Sequence, residues 1–156
     1  MSLYTLNLFV HVLAMVVWAG GMIFLGPIAA PALRRLEPPA TRVQAFQAVG
    51  RRFRPVGWTC LALLVVTGFL NLIFLRVDPG SLLASGFGHR LLTKLVLVAV
   101  VIVLSALHDF VWGPRAFALG PDHPEGQRLR RRSIATAKLN TVLVLLIIFL
   151  GVGLRG

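Results

Sequence analysis

The polar side chain best placed to do chemistry in this sequence is His11, set in an otherwise apolar run. It begins a row with Met15, Trp18 and Met22, spaced i, i+4, i+7 and i+11, which a helix gathers on one face. A neutral imidazole in an apolar pocket is a usual protein ligand of haem iron. Imidazole and thioether together also suit Cu(I). A histidine hydrogen-bonded to a neighbouring helix, with Met and Trp as packing, explains the same row without any ligand. The row alone leaves all three readings open. Gly20 and Gly21 permit close approach by a helix or a flat ligand, so on the haem reading Trp18, Gly20 and Gly21 line the pocket.

The remaining intramembrane polar groups are few, and each is costly in hydrocarbon unless it faces protein, water or a ligand. Asn71 shares a helix face with Thr67 and is expected at the depth of His11. It is the expected partner for the imidazole nitrogen that binds no ligand. Lys94 either snorkels to an interface or, like Arg90, pairs with an anionic group such as a haem propionate. His108 lies 14 residues beyond Lys94, about 21 Å along a helix. It is therefore expected in the other half of the membrane from His11, so the two should not clamp one iron. It either serves a second site with Cys60, Trp112 or Asn140, or pairs with Asp109 at the interface. His123, in the turn-rich stretch from Gly120 to Gly126, is expected to be solvated.

Several chemistries have no carrier here. No Gly-rich phosphate loop precedes a helix, no carboxylate but Asp109, near the end of the third, falls within a predicted span, and no ligand pair has zinc spacing. Ser105 has no base and acid arranged to make it a nucleophile. The single cysteine, Cys60, excludes an intramolecular disulfide.

The elements that must position these residues are helices in lipid. Of 156 residues, 57% are hydrophobic and only 13% charged, more apolar surface than a soluble domain of this size can hide. Predicted spans cover residues 3–28, 57–75, 91–112 and 134–154, each near the 20 residues a crossing needs. The expected fold is thus a single all-α integral membrane domain, residues 1–156, built as a four-helix bundle. The opening Met-Ser-Leu-Tyr has no basic n-region, so the first run reads as a span rather than a signal peptide. Residues 39–53 carry Val43, Phe46, Val49 and Phe53 at helical spacing with arginines between them. That pattern fits a separate helix, either in the headgroup layer or packed on the end of the bundle.

The net charge of +11 follows the spans. Arg34, Arg35, Arg42, Arg51, Arg52 and Arg54 fall between the first two; Arg115, Arg128, Arg130, Arg131, Arg132 and Lys138 fall between the last two or at the foot of the fourth. These are twelve of the sixteen basic residues, leaving Arg76, Arg90, Lys94 and Arg155 for the other face. The positive-inside rule then puts the arginine-rich loops in the cytoplasm and both termini outside. The expected contact is lipid headgroups, not nucleic acid.

Read together, these stretches resemble the copper resistance protein D domain family along nearly the whole chain. The resemblance is carried by Phe9 to Gly21, by Arg51-Arg-Phe-Arg54 with Leu63 to Asn71, by Gly88 to Lys94 with the step to His108, and by Leu129 to Ser133. It implies a bacterial inner-membrane protein linked to copper handling and associated with haem b. A thinner resemblance to the oxygen-independent, membrane-embedded protoporphyrinogen oxidase family rests on His11 preceding Trp18 and on Lys94 followed by His108. Here that lysine-to-histidine step is longer, and a second histidine late in the first helix is absent.

The expectation is therefore a haem b-binding redox protein with His11 as ligand, Asn71 as orienter and Lys94 as charge partner. Its partners would be the bilayer and a redox protein or copper-binding periplasmic protein, with self-association left open. The rivals are copper transport through His11, Met15, Met22 and Cys60, a porphyrinogen-oxidising enzyme, and a non-catalytic membrane subunit.

Overall fold

The computed structural model describes residues 2–77, 80, 83, 85–120 and 123–153, and the described residues are helical with short connections. The order is α1 (Leu3–Ile23), a π-helical segment (Phe24–Ala29), α2 (Ala30–Leu33), α3 (Pro39–Phe74), α4 (Gly86–Ala106), a second π-helical segment (Leu107–Trp112), α5 (Gly113–Ala118) and α6 (Pro124–Gly153). Four continuous apolar rods result: Leu3–Leu33, Pro39–Phe74, Gly86–Ala118 and Pro124–Gly153, of 31, 36, 33 and 30 residues. At 1.5 Å per residue they run from about 45 to about 54 Å, well beyond the ~30 Å hydrocarbon core of a bilayer. The chain is a multi-pass membrane protein. Phe9, Val16, Phe69, Phe149 and Val152 are exposed, as lipid-facing side chains must be.

The surplus length is where the rods differ from the predicted spans. The first does not stop at Pro27: the chain widens into a π-turn that contains the proline and continues to Leu33. π-turns are a regular way of absorbing a missing backbone N–H. Residues 39–53 do not form a separate helix, because α3 runs unbroken through Pro55. The carbonyl left without a donor there belongs to the exposed Arg51, beyond the apolar run, where water can reach it. Before α3, Arg42 donates to Leu36 O at 3.2 Å and pairs with Glu37 at 2.7 Å, fixing the entry of the chain. The third rod begins at Gly86, with Ser85 capping the Gly88 N–H at 3.0 Å. The fourth begins at Pro124, where His123 Nδ1 accepts from Glu125 N at 3.2 Å; His123 is exposed, as expected. Pro121, Asp122, Leu154 and Arg155 lie outside the described residues.

Two compact units divide the chain, Met1–Val77 and Asp78–Gly156. In the first, α1 packs antiparallel on α3, burying Asn7, Ala14, Trp18 and Ala19 against a face that holds Gly57, Cys60, Leu61 and Thr67. Arg76 (φ 48°) takes the left-handed position after α3, and Val77 N–H returns to Leu72 O at 3.1 Å. In the second, α4 and α5 pack on α6. Gly113 N–H donates to His108 O across the second π-turn. A Cβ at Gly113 would lie 2.9 Å from that same oxygen, so the turn requires glycine there.

Candidate functional site

In the first unit the polar side chains of α1 and α3 form one cluster. Asn7 and His11 stand one turn apart on α1, as do Thr67 and Asn71 on α3, and the antiparallel pairing brings the two pairs face to face. Asn7 Nδ2 donates to Asn71 Oδ1 at 2.9 Å and to the Thr67 carbonyl at 3.0 Å. His11 Nδ1 lies 2.7 Å from Thr67 Oγ1, and the Thr67 hydroxyl donates in turn to Leu63 O.

That last bond fixes the histidine tautomer. A threonine hydroxyl has one proton, and here Leu63 O receives it. Thr67 Oγ1 must therefore accept from His11, which puts the imidazole proton on Nδ1 and the lone pair on Nε2. The arrangement is the one metal-binding histidines use: one ring nitrogen donates to an anchoring group, which sets the ring orientation and raises the basicity of the other. Thr67, at 5% exposure, holds His11 Nδ1, the contact for which Asn71 was the expected partner. Asn71 acts one step away, by holding Asn7.

The other expected pocket residues are placed differently. A Cβ on Gly21 would overlap the Phe53 ring, so Gly21 is the seat of Phe53 rather than the wall of an open pocket. Trp18 is buried with its Cδ1 edge beside Gly57. Gly20 has open space beside it, and Gly68 lies against the Cε1 edge of His11. A shallow cleft of about 280 Å³ lies close to the cluster, lined by Leu3, Leu6, Asn7, Val10, Thr67, Leu70 and Phe74, and His11 is not part of its wall. Met15 and Met22 are half-buried further along α1. Among the described residues, no three His, Cys, Asp or Glu side chains gather around one point.

The second unit has its own polar seam. His108 Nδ1 lies 3.1 Å from Ser133 O and 2.9 Å from Ser133 Oγ; a carbonyl only accepts, so Nδ1 carries the proton. With the proton on Nδ1, Nε2 presents its lone pair 3.9 Å from Asp109 Oδ1, a close approach rather than a hydrogen bond. Asn140 Nδ2 donates to Ser105 Oγ at 2.9 Å. Lys94 is half-buried with its ammonium over Gly151 of α6, and Arg90 Nη1 donates to the Gly153 carbonyl at 3.2 Å. A cation at a helix C-terminus is favourable, and both basic residues lie at the end of α6. His89 donates Nδ1–H to Ser85 O at 2.8 Å on the exposed surface. Asn7, Thr67, Ser133 and Ser105 are the site residues that the sequence reading did not single out as partners. The i, i+4 spacing of Asn7 with His11 was the available signal.

Four long apolar helices, with polar side chains paired between α1 and α3 and between α4 and α6, define a class: small multi-pass membrane proteins. The chain matches copper resistance protein D over residues 47–154 and belongs to that family. It is 37% identical to an uncharacterized protein of Aquifex aeolicus (strain VF5) over 151 residues, covering 96% of this chain and 94% of the relative. It is also 29% identical over 100 residues to the copper transport protein CutJ of Bacillus subtilis (strain 168), covering 64% of this chain but 18% of that longer protein. No solved structure gives a significant match.

Proposed function

We infer that this protein is a copper-related component of a bacterial plasma membrane that binds haem b through His11 Nε2 and acts in electron transfer. The observation that carries the reading is the bond from His11 Nδ1–H to Thr67, whose own proton goes to Leu63 O. A haem iron brings four porphyrin nitrogens with it, so one well-oriented imidazole suffices as the protein's share, and its chemistry is one-electron exchange. The chain's own residues do the rest. Thr67 holds the ring to one tautomer, Asn7 and Asn71 lock α1 to α3 one turn away, and Trp18 and Phe53 pack the same hairpin further along.

A second reading is favoured by Met15, which follows His11 at i+4 and is half-buried with it. Imidazole and thioether on one helix face are soft donors for Cu(I), and the Bacillus subtilis relative is a copper transport protein by name. In that case copper is cargo, and His11 and Met15 are stations on its route. Haem extraction and copper analysis on the detergent-purified chain separate the two. Haem at a fixed stoichiometry, lost in His11→Ala but kept in Met15→Leu, supports the first reading. Bound copper without haem, lost in both variants, refutes it in favour of the second.

A further inference from the structure

The α4–α6 hairpin buries a polar atom that has no partner. Asn140 is 4% exposed. Its Nδ2 is used by Ser105, while its Oδ1 is sealed from solvent and accepts no hydrogen bond. Turning the amide over does not help, because Ser105 can satisfy only one of the two amide atoms from its position. In a membrane span an unpartnered amide group is costly, and such an atom in a folded protein points to an unseen occupant.

The surroundings say what that occupant is. Ser133, Thr136 and Asn140 follow one another on α6 at i, i+3 and i+7, a single stripe, and Thr136 is buried at 7%. Opposite them on α4 and the π-turn stand Ser105 and His108, bonded to Asn140 and Ser133 respectively. The stripe spans seven residues, about 10 Å along the helix. It starts beside Arg130, Arg131 and Arg132, where His108 is still 35% exposed. At its inner end stand Val101 (1% exposed) and Val144 (3%), which close the seam to polar molecules. The exposed groups are neutral donors and acceptors with no carboxylate beyond Asp109 at the mouth, a lining suited to water rather than to a metal ion. A buried water typically makes about three hydrogen bonds. Here Asn140 Oδ1 accepts one, and the Ser105 hydroxyl keeps its own proton to donate another.

We propose that the second unit contains a blind, water-filled inlet that opens at His108 and Ser133 and ends on a water bound between Asn140 and Ser105. Its residues all belong to α4, the π-turn after it and α6, and it does not depend on what His11 binds. The π-turn serves the inlet by carrying His108 at its mouth, and this gives a physical reason for a wide turn at that point in an otherwise regular helix.

Water-edited solid-state NMR on the whole protein in lipid bilayers tests this on the unmodified chain, with labelled asparagine, histidine and valine. The Asn140 side-chain signal, assigned by its loss in Asn140→Leu, should gain magnetisation from water protons as rapidly as the His108 ring. It should do so several-fold faster than the methyl groups of Val101 and Val144. Asn140 building up as slowly as those two valines would mean a dry interface and overturn the proposal. A shift of the Asn140 signal when sodium and potassium are replaced by choline would assign the site to a cation and overturn it equally. Ser105→Ala removes one of the two groups that hold the water and should slow the transfer to Asn140 while leaving that to His108 unchanged.

Discussion

Replacing Thr67 by valine tests the part of the account that is most specific to this structure. Valine keeps the branched shape and most of the volume but removes the oxygen that accepts the His11 Nδ1–H. The backbone carbonyl of residue 67 remains, so the bond from Asn7 survives. What changes is a donor left without a partner between two packed helices, worth about 1–3 kcal/mol, and an imidazole free to rotate or change tautomer. For a ligating histidine the loss of such an anchor weakens binding about 10- to 100-fold. The assay is titration of the haem-depleted protein in detergent with haem, read by absorption, for wild type, Thr67→Val and Thr67→Ser. Serine restores the hydroxyl and should bind within a few-fold of wild type, whereas valine should fall one to two decades below both. Thr67→Val binding as tightly as wild type, with unchanged band positions, would refute the claim that Thr67 sets the ring for its ligand.

Other perturbations probe the scaffold and its orientation. Gly21→Ala drives a methyl group into the Phe53 ring and should destabilise the first hairpin by about 1–3 kcal/mol, a loss that Phe53→Leu partly relieves when thermal unfolding of the two single variants and the double variant is compared. Gly113→Ala presses on the His108 carbonyl and should lower the melting temperature more than Gly153→Ala, which meets open space. Arg90→Gln removes a charged cap from Gly153 O and should cost about 0.3–1 kcal/mol, with the difference shrinking at high salt. With Cys60 replaced by alanine, a cysteine introduced at Gln44 should react with a membrane-impermeant thiol reagent only after the membrane is opened. One introduced at Ser2 should react in intact cells. The opposite pattern contradicts the inward placement of the arginine-rich segments.

The membrane architecture was legible because it depends on long-range composition: four apolar runs with arginines between them leave a helix no alternative in lipid. The ends of the rods were not. Hydropathy marks where a helix leaves hydrocarbon, and α3 and α6 continue for several turns beyond that point, carrying Arg42 to Arg54 and Arg128 to Arg132 with them. Neither proline inside a rod stops it: a π-turn contains Pro27, and α3 passes Pro55 beyond the apolar run. At the site, His11 stood out because polarity in an apolar run is conspicuous in one dimension. Its partner did not, since choosing Thr67 over Asn71 takes the register of two antiparallel helices to within one turn, which no local pattern encodes. Gly21 illustrates the same limit: a small residue announces a close approach but not what approaches, and here it is the Phe53 ring.

The central claim is that the His11 Nε2 lone pair binds the metal, and replacement of the ring by a diffusible one measures this most directly. Reduced-minus-oxidised absorption spectra would be recorded for wild type, His11→Gly, and His11→Gly supplied with imidazole. The account predicts haem bands in the wild type, their loss in the glycine variant, and their return with imidazole. Identical spectra for wild type and His11→Gly, or a wild-type protein that carries copper and no haem, would contradict it.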